Sequence, residues 1–367
     1  MAWTKAQQEA IDKRQSNILV SAAAGSGKTA VLVERIINKI TDEDSPKDID
    51  EFLVVTFTKA AAAQMKEKIA VRLEKLLEDA PDNDHLIRQL VLINRSNIQT
   101  IDSFCLSLVK ENFGLLGIDA AFGIGDGGIM ALMKNDILDE MFEELYNDKN
   151  EEFFKLLDIF GNVRNDDNLK DNILNIYRVA SSYPRPYDWF DNAKKALEIH
   201  DKDSLYKADW FKEFLELVRA YTYNALESAR TGLAICEMAG GPDKNHAVAE
   251  ADIEVLSRIY EAQDYDELSE ALKFTWDRLK ACKGDAYDEE LVEHFKENRN
   301  SYKDIIKKLK LAEKSSDEIV EEIRNMSEYL IPLLNLVTDF SRRYDEEKDK
   351  RKLYDFSDIE HMAYRLV

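Results

Sequence analysis

The chain has 367 residues, 45% hydrophobic and 33% charged, with a formal net charge of −22, which is enough apolar content and length for two domains. No apolar stretch approaches the ~20 residues of a membrane helix, and the start Met-Ala-Trp-Thr-Lys-Ala-Gln lacks an apolar signal core. The acidic balance excludes binding of nucleic acid through the whole surface; nearly all the excess lies after residue 112, so any such contact has to be local.

The first element is a short helix announced by Thr4 and Gln7, which have the spacing of a capping box. Asn17–Ser21 then reads as a strand, followed by a helix over Thr29–Ile40 with Val31, Leu32, Ile36 and Ile40 at helical spacing. Phe52–Thr56 is the second expected strand and Lys59–Leu77 its helix. Asn97–Ile101 is the third, with a helix from about Ser103 to Phe113. Strand and helix alternating in this way is the rhythm of a parallel α/β sheet.

The texture changes after Gly114. Gly123–Gly128 reads as a connector, and helical periodicity dominates afterwards, as in Met130–Tyr146, Trp210–Met238, Ile253–Leu279 and Ser316–Asp345. No strand rhythm and no fixed-period repeat is visible there. Ser357 and Glu360 are spaced as a capping box for one final amphipathic helix. Cys105, Cys236 and Cys282 are isolated, without metal-ligand spacing, and read as small buried hydrophobes in a reducing cytosol.

The residues that carry chemistry begin with Ala22-Ala23-Ala24-Gly25-Ser26-Gly27-Lys28-Thr29, directly after one expected strand and before one expected helix. That is the setting of a phosphate-binding loop. Gly25 and Gly27 let backbone N–H groups turn toward phosphates, and the helix start adds its positive dipole end. Lys28 would reach the β- and γ-phosphates and Thr29 would ligand Mg²⁺. In Thr56-Phe57-Thr58-Lys59, Phe57 is either core or a base-stacking surface, and Thr58 either an N-cap or a phosphate contact. Thr100 and Ser103 divide evenly between helix capping and nucleic-acid contact.

Together these segments resemble the UvrD-like helicases of superfamily one, and within them the AddA-type subunits of helicase–nucleases. Trp3-Thr4-Lys5-Ala6-Gln7-Gln8 resembles the adenine-reading segment, which makes Gln7 the residue that pairs with adenine and selects ATP. Val54–Met65 resembles the segment that meets single-stranded DNA, with Lys59 where the family usually has Asn. Thr100-Ile101-Asp102-Ser103-Phe104-Cys105 resembles the Thr-x-His-Ser segment, with Asp102 in place of histidine; a carboxylate there would repel phosphate. Ala22 stands for the first glycine of the loop. Ile118–Asp126, the Pro184-Arg185-Pro186 stretch before Trp189, and Tyr354-Asp355-Phe356-Ser357-Asp358 resemble AddA segments.

The resemblance implies an α/β P-loop (RecA-like) domain with a partial parallel sheet and a large all-helical inserted domain. Residues 1–122 would be the first RecA-like part, 123–350 the helical insertion and 351–367 the return. It implies ATP and Mg²⁺ as cofactors and a cytoplasmic protein. Single-stranded DNA, duplex ends and an AddB-like subunit would be its partners. No hydrophobic strand ending in Asp-Glu follows the loop, so the piece is expected to bind ATP without turning it over. Two other readings are open: a different P-loop enzyme such as a nucleotide kinase, or a non-catalytic module whose acidic helices dock a partner.

Overall fold

Apolar residues recurring at helical spacing, with polar caps at their starts, build helices along most of the chain. A computed structural model describes residues 3–23, 25–161 and 165–367. The chain divides into two compact units, one formed by residues 1–136 and 344–367 and the other by residues 137–343.

The first unit contains α1 (Lys5–Asp12), α2 (Lys28–Ile40), β1 (Leu53–Thr56), α3 (Lys59–Asp79), α4 (Asp84–Leu92), β2 (Asn97–Thr100), α5 (Ile101–Glu111), α6 (Phe113–Leu116) and β3 (Gly123–Ile124). The chain leaves it inside α7 (Gly127–Asn147) and returns inside α16 (Ser316–Arg351), which is followed by β4 (Leu353–Tyr354) and α17 (Phe356–Leu366). Strands β1 and β2 are parallel neighbours in the register Val54 to Ile98 and Thr56 to Thr100. Val33, Ile36, Ile37 and Ile40 of α2 pack with Met65, Ile69 and Leu73 of α3 and with Val54 and Ile98 of the strands. Each such side chain contributes roughly 1.5–3 kcal/mol of burial. A second core joins α5 to α17 through Val109, Ile359, Met362 and Ala363, with Phe122 and Tyr354 beside them.

The other unit is helical among its described residues. It contains α8 (Glu151–Phe160), α9 (Asp167–Ala180), α10 (Pro186–Leu197), α11 (Lys202–Lys207), α12 (Asp209–Glu237), α13 (His246–Glu261), α14 (Tyr265–Leu272) and α15 (Glu289–Lys308), with the first part of α16. Helix α12 packs along α13 and α15. Deep in this unit Arg299 forks onto Asp252 at 2.6 and 3.1 Å, and the Tyr302 hydroxyl donates to the same carboxylate at 2.6 Å. A buried charge pair is tolerable only when satisfied in this way.

The structure corrects five expectations. Asn17–Ser21 pairs with no strand among the described residues, and Leu19 and Val20 are 97% and 51% exposed. An apolar run becomes a strand only where a neighbour takes up its N–H and C=O groups, and here β1 has β2 alone. Gly123–Gly128 is no plain connector: β3 pairs in parallel with β4, and Gly127 and Gly128 open α7, where Asp126 accepts from the Gly128 and Ile129 N–H groups. The same small pair shows strand structure after Gly114, where none was expected. Ile253–Leu279 breaks at Ala262, because Asp264 caps a new helix, and helicity ends at Leu272. The cap of α17 is Asp355 with Asp358, not Ser357 with Glu360; a carboxylate two residues earlier takes the free N–H groups first.

Candidate functional site

The segment 22–29 leads directly into α2. Gly25 and Gly27 have φ of +79° and +84°, left-handed conformations in which any side chain would be strained. Gly27 is the N-cap of α2, and no side chain accepts from the helix's free N–H groups. Such an uncapped start is a ready acceptor of anions. Ala22, Ala23, Gly25, Ser26, Gly27, Lys28 and Thr29 are all exposed; Ala24 lies outside the described residues. The Lys28 ammonium folds back onto the loop and donates to the carbonyls of Ala22 at 2.6 Å and Ala23 at 2.8 Å. Thr29 follows in the first turn of α2.

Gln7 reaches this loop from a distance of nineteen residues in sequence. Its Nε2 donates to the Ser26 carbonyl at 3.1 Å, while its Oε1 accepts from the Thr4 N–H at 2.9 Å. Thr4 completes the capping box by accepting from the Gln7 N–H. The helix cap and the contact with the loop are therefore compatible uses of one side chain. Arg35 of α2 holds α1 in place, donating to Ala10 O at 2.6 Å and Ile11 O at 3.3 Å, and Asn38 donates to Asp12. Burial, and then the neighbouring Arg14, lower the Arg35 guanidinium from its ordinary range. Sequence reasoning missed Arg35 and Asn38; polar residues three apart on an otherwise apolar helix were the available signal.

At the carboxyl ends of β1 and β2 the paired register sets Thr56 beside Thr100, so the segments that follow both strands leave from the same edge. In open α/β sheets, ligands bind at that edge. Phe57 is 97% exposed, which removes it from the core. Thr58 caps α3 by accepting from the Ala61 N–H at 3.1 Å, and Thr56 donates to the Thr58 carbonyl at 3.0 Å. Lys59 is exposed in the first turn. Thr100 is buried, caps α5 by accepting from the Ser103 N–H, and shares a 2.8 Å hydrogen bond with the Ser103 hydroxyl. Of the two, Ser103 is the more accessible.

Asp102 is exposed in the first turn of α5; Thr100, not Asp102, caps that helix. Across from it lies Glu360 of α17, which sequence reasoning gave no role beyond a cap. Burial and the hydrogen-bonded Asp102 carboxylate push Glu360 above the ordinary carboxylate range. Burial, Glu360 and Asp102 push the Cys105 thiol up as well. The loop and the strand edge thus offer phosphate-sized N–H groups, an ammonium, two hydroxyls and one bare aromatic ring, with a carboxylate pair beside them. The described residues hold no helix long and apolar enough to cross a membrane, and no group of metal-ligating side chains of three or more.

Comparison with known proteins matches residues 3–367 to the UvrD/REP helicase N-terminal domain. The chain is 36% identical over 374 residues to the AddA component of the ATP-dependent helicase/nuclease of Lachnoclostridium phytofermentans, covering 100% of this chain and 27% of that protein. Against the protein of the same name from Acetivibrio thermocellus it is 38% identical over 375 residues, covering 100% and 30%. Against that from Bacillus licheniformis it is 38% identical over 369 residues, covering 98% and 30%. The chain therefore spans under a third of the length of these curated relatives.

Proposed function

We propose, from the premise that the chain belongs to the UvrD/REP helicase family, that it is the ATP-binding front part of an AddA-type helicase–nuclease protein. Residues 1–122 and 351–367 are its share of a RecA-like domain, and 123–350 an inserted helical domain. The observation that carries the reading is the contact of Gln7 with Ser26 inside the loop, beside the uncapped start of α2. A phosphate loop alone serves many enzymes; a loop with an amide side chain docked on it, able to read a purine edge, serves fewer.

In this reading Ala22–Thr29 hold the phosphates, with Ala24 in the same run. Lys28 exchanges its two carbonyl bonds for phosphate oxygens, and the Thr29 hydroxyl holds Mg²⁺. These residues fit the group: the ammonium is already within the loop, and the helix N–H groups have no competing side-chain acceptor. Bound Mg-ATP supplies the free energy of phosphoryl transfer. Gln7 turns its amide from Ser26 to adenine. Phe57, Thr58, Lys59, Thr100 and Ser103 meet single-stranded DNA at the edge of β1 and β2, Phe57 by stacking and the others through phosphates.

For the longer protein we propose unwinding and trimming of duplex DNA ends in recombinational repair, in the cytoplasm, with an AddB-like partner. Asn17–Ser21 then belongs to the RecA-like sheet, and exposed Leu19 and Val20 support a further strand that covers them. The test is competition between ATP and GTP for a fluorescent ATP analogue. The chain prefers ATP, and Gln7→Ala loses about tenfold of that preference, the scale of one or two hydrogen bonds left unmade. Equal competition by GTP, unchanged in Gln7→Ala, refutes the adenine assignment.

A further inference from the structure

The segment Tyr354-Asp355-Phe356-Ser357-Asp358 touches neither the phosphate loop nor the edge of β1 and β2, yet it gathers a dense set of buried polar contacts. Lys348, near the end of α16, is 1% exposed. Its ammonium donates to Asp358 at 2.5 Å, lies 3.0 Å from Asp345 and sits 4.4 Å from the centre of the Tyr344 ring. Asp358 accepts the Asp355 N–H at 2.8 Å, and Asp355 accepts the Asp358 N–H at 3.0 Å, so one carboxylate both caps α17 and holds the lysine. Tyr344 is fully buried and its hydroxyl donates to Asp355 at 3.5 Å. Tyr354 donates to Asp349 at 2.9 Å, and the strand it ends is paired with β3. Lys134 of α7 lies 5.2 Å from the same Tyr344 ring.

A buried lysine with carboxylates is a costly way to join two helices, because apolar side chains of similar size hold as well or better. What ions add is a single defined geometry. The face of α17 opposite this joint packs on α5 through Ile359, Met362 and Ala363 against Val109. Its Glu360 faces Asp102 in the turn that also carries Ser103. The joint therefore fixes the angle of α17, and α17 fixes the start of α5.

We infer that Lys348 and Asp358 are positioning residues for DNA engagement, holding the start of α5 in register through α17 without touching DNA or nucleotide. The inference rests on the DNA-binding reading of the β2–α5 edge given above. A loosened joint leaves the phosphate loop intact, because α2 belongs to the other core of this unit. It lowers instead the efficiency with which DNA accelerates ATP turnover.

The experiment uses the full-length enzyme, with Lys348→Met, and with Lys348→Met combined with Asp358→Leu, which removes both charges and preserves apolar volume. Thermal stability, ATP turnover without DNA, and the single-stranded DNA concentration that half-saturates ATP turnover are measured for each. The double variant keeps its melting temperature and its DNA-free turnover, while the half-saturating DNA concentration rises by about tenfold, a typical coupling between two sites. An unchanged half-saturating concentration in the double variant overturns the inference. So does a parallel loss of melting temperature and DNA-free turnover in both variants, which would make the joint a stability element only. Wild-type enzyme that DNA fails to stimulate at all would overturn the DNA reading itself, a result visible before any variant is made.

Discussion

Asp102 occupies the turn at which the candidate DNA edge and the α17 joint meet, and its neighbours decide what it does. Thr100 already caps α5, and Glu360 shares a hydrogen bond with the Asp102 carboxylate. Its charge therefore projects at an edge where the other groups favour phosphate. Replacing one surface carboxylate removes a repulsion of about 1 kcal/mol at contact distance. Asp102→Asn is expected to bind a labelled single-stranded oligonucleotide about fivefold tighter by fluorescence anisotropy. It also brings Glu360 back toward the ordinary carboxylate range. Unchanged affinity would show that Asp102 faces away from the DNA path.

At the scale of elements, the joint between α16 and α17 carries a pH signature. Burial, opposed by Lys348, pushes Asp358 up from 3.8 to about 6. Asp345, Asp355 and Lys134 also border this joint. A carboxyl raised in the folded state binds its proton more tightly there than in the unfolded chain. The stabilisation is full below the ordinary value and is lost as pH rises through the folded value. Unfolding free energy measured for the protein minus that for Asp358→Asn therefore falls between about pH 4 and pH 6 and is level above. A difference that rises over that window would mean that Lys348, not burial, governs the group.

Legibility in the sequence followed locality. Helices α2, α3, α7, α12 and α16 were readable within a few residues, because side-chain period and capping are local properties. The strands β1 and β2 were readable from β-branched runs between turns. Asn17–Ser21 looked the same locally but has no pairing partner among the described residues, and pairing is set by distant chain. The break at Ala262 hid because the Asp264 cap interrupts an apolar rhythm that runs on across it. The phosphate loop was legible because its chemistry is contiguous. The Gln7–Ser26 contact was only implied by resemblance, and the Asp102–Glu360 pair, separated by most of the chain, left no local trace.

Over the whole molecule, the net charge of −22 limits how DNA can be held. Few phosphates are neutralised, and Lys59 is the one cation among the proposed contacts. Affinity for single strands should then fall shallowly with salt, by about 0.7 log units per tenfold salt for each phosphate released. Lys59→Ala should lower that slope by about 0.7, read from oligonucleotide titrations across a salt series. A steep slope that survives Lys59→Ala would place the DNA path on another surface.

Every role proposed for the chain depends on the loop that begins at Ala22, and nucleotide binding tests that loop most directly. A fluorescent ATP analogue with Mg²⁺ is titrated into the protein and into Lys28→Ala. Lys28 is exposed and contacts only loop carbonyls, so the variant should fold normally. Saturable binding by the protein is expected, weakened about tenfold or more in the variant, as for loss of a charged hydrogen-bond donor. Equal binding by both, or no binding by the folded protein, would contradict the assignment of the loop to ATP.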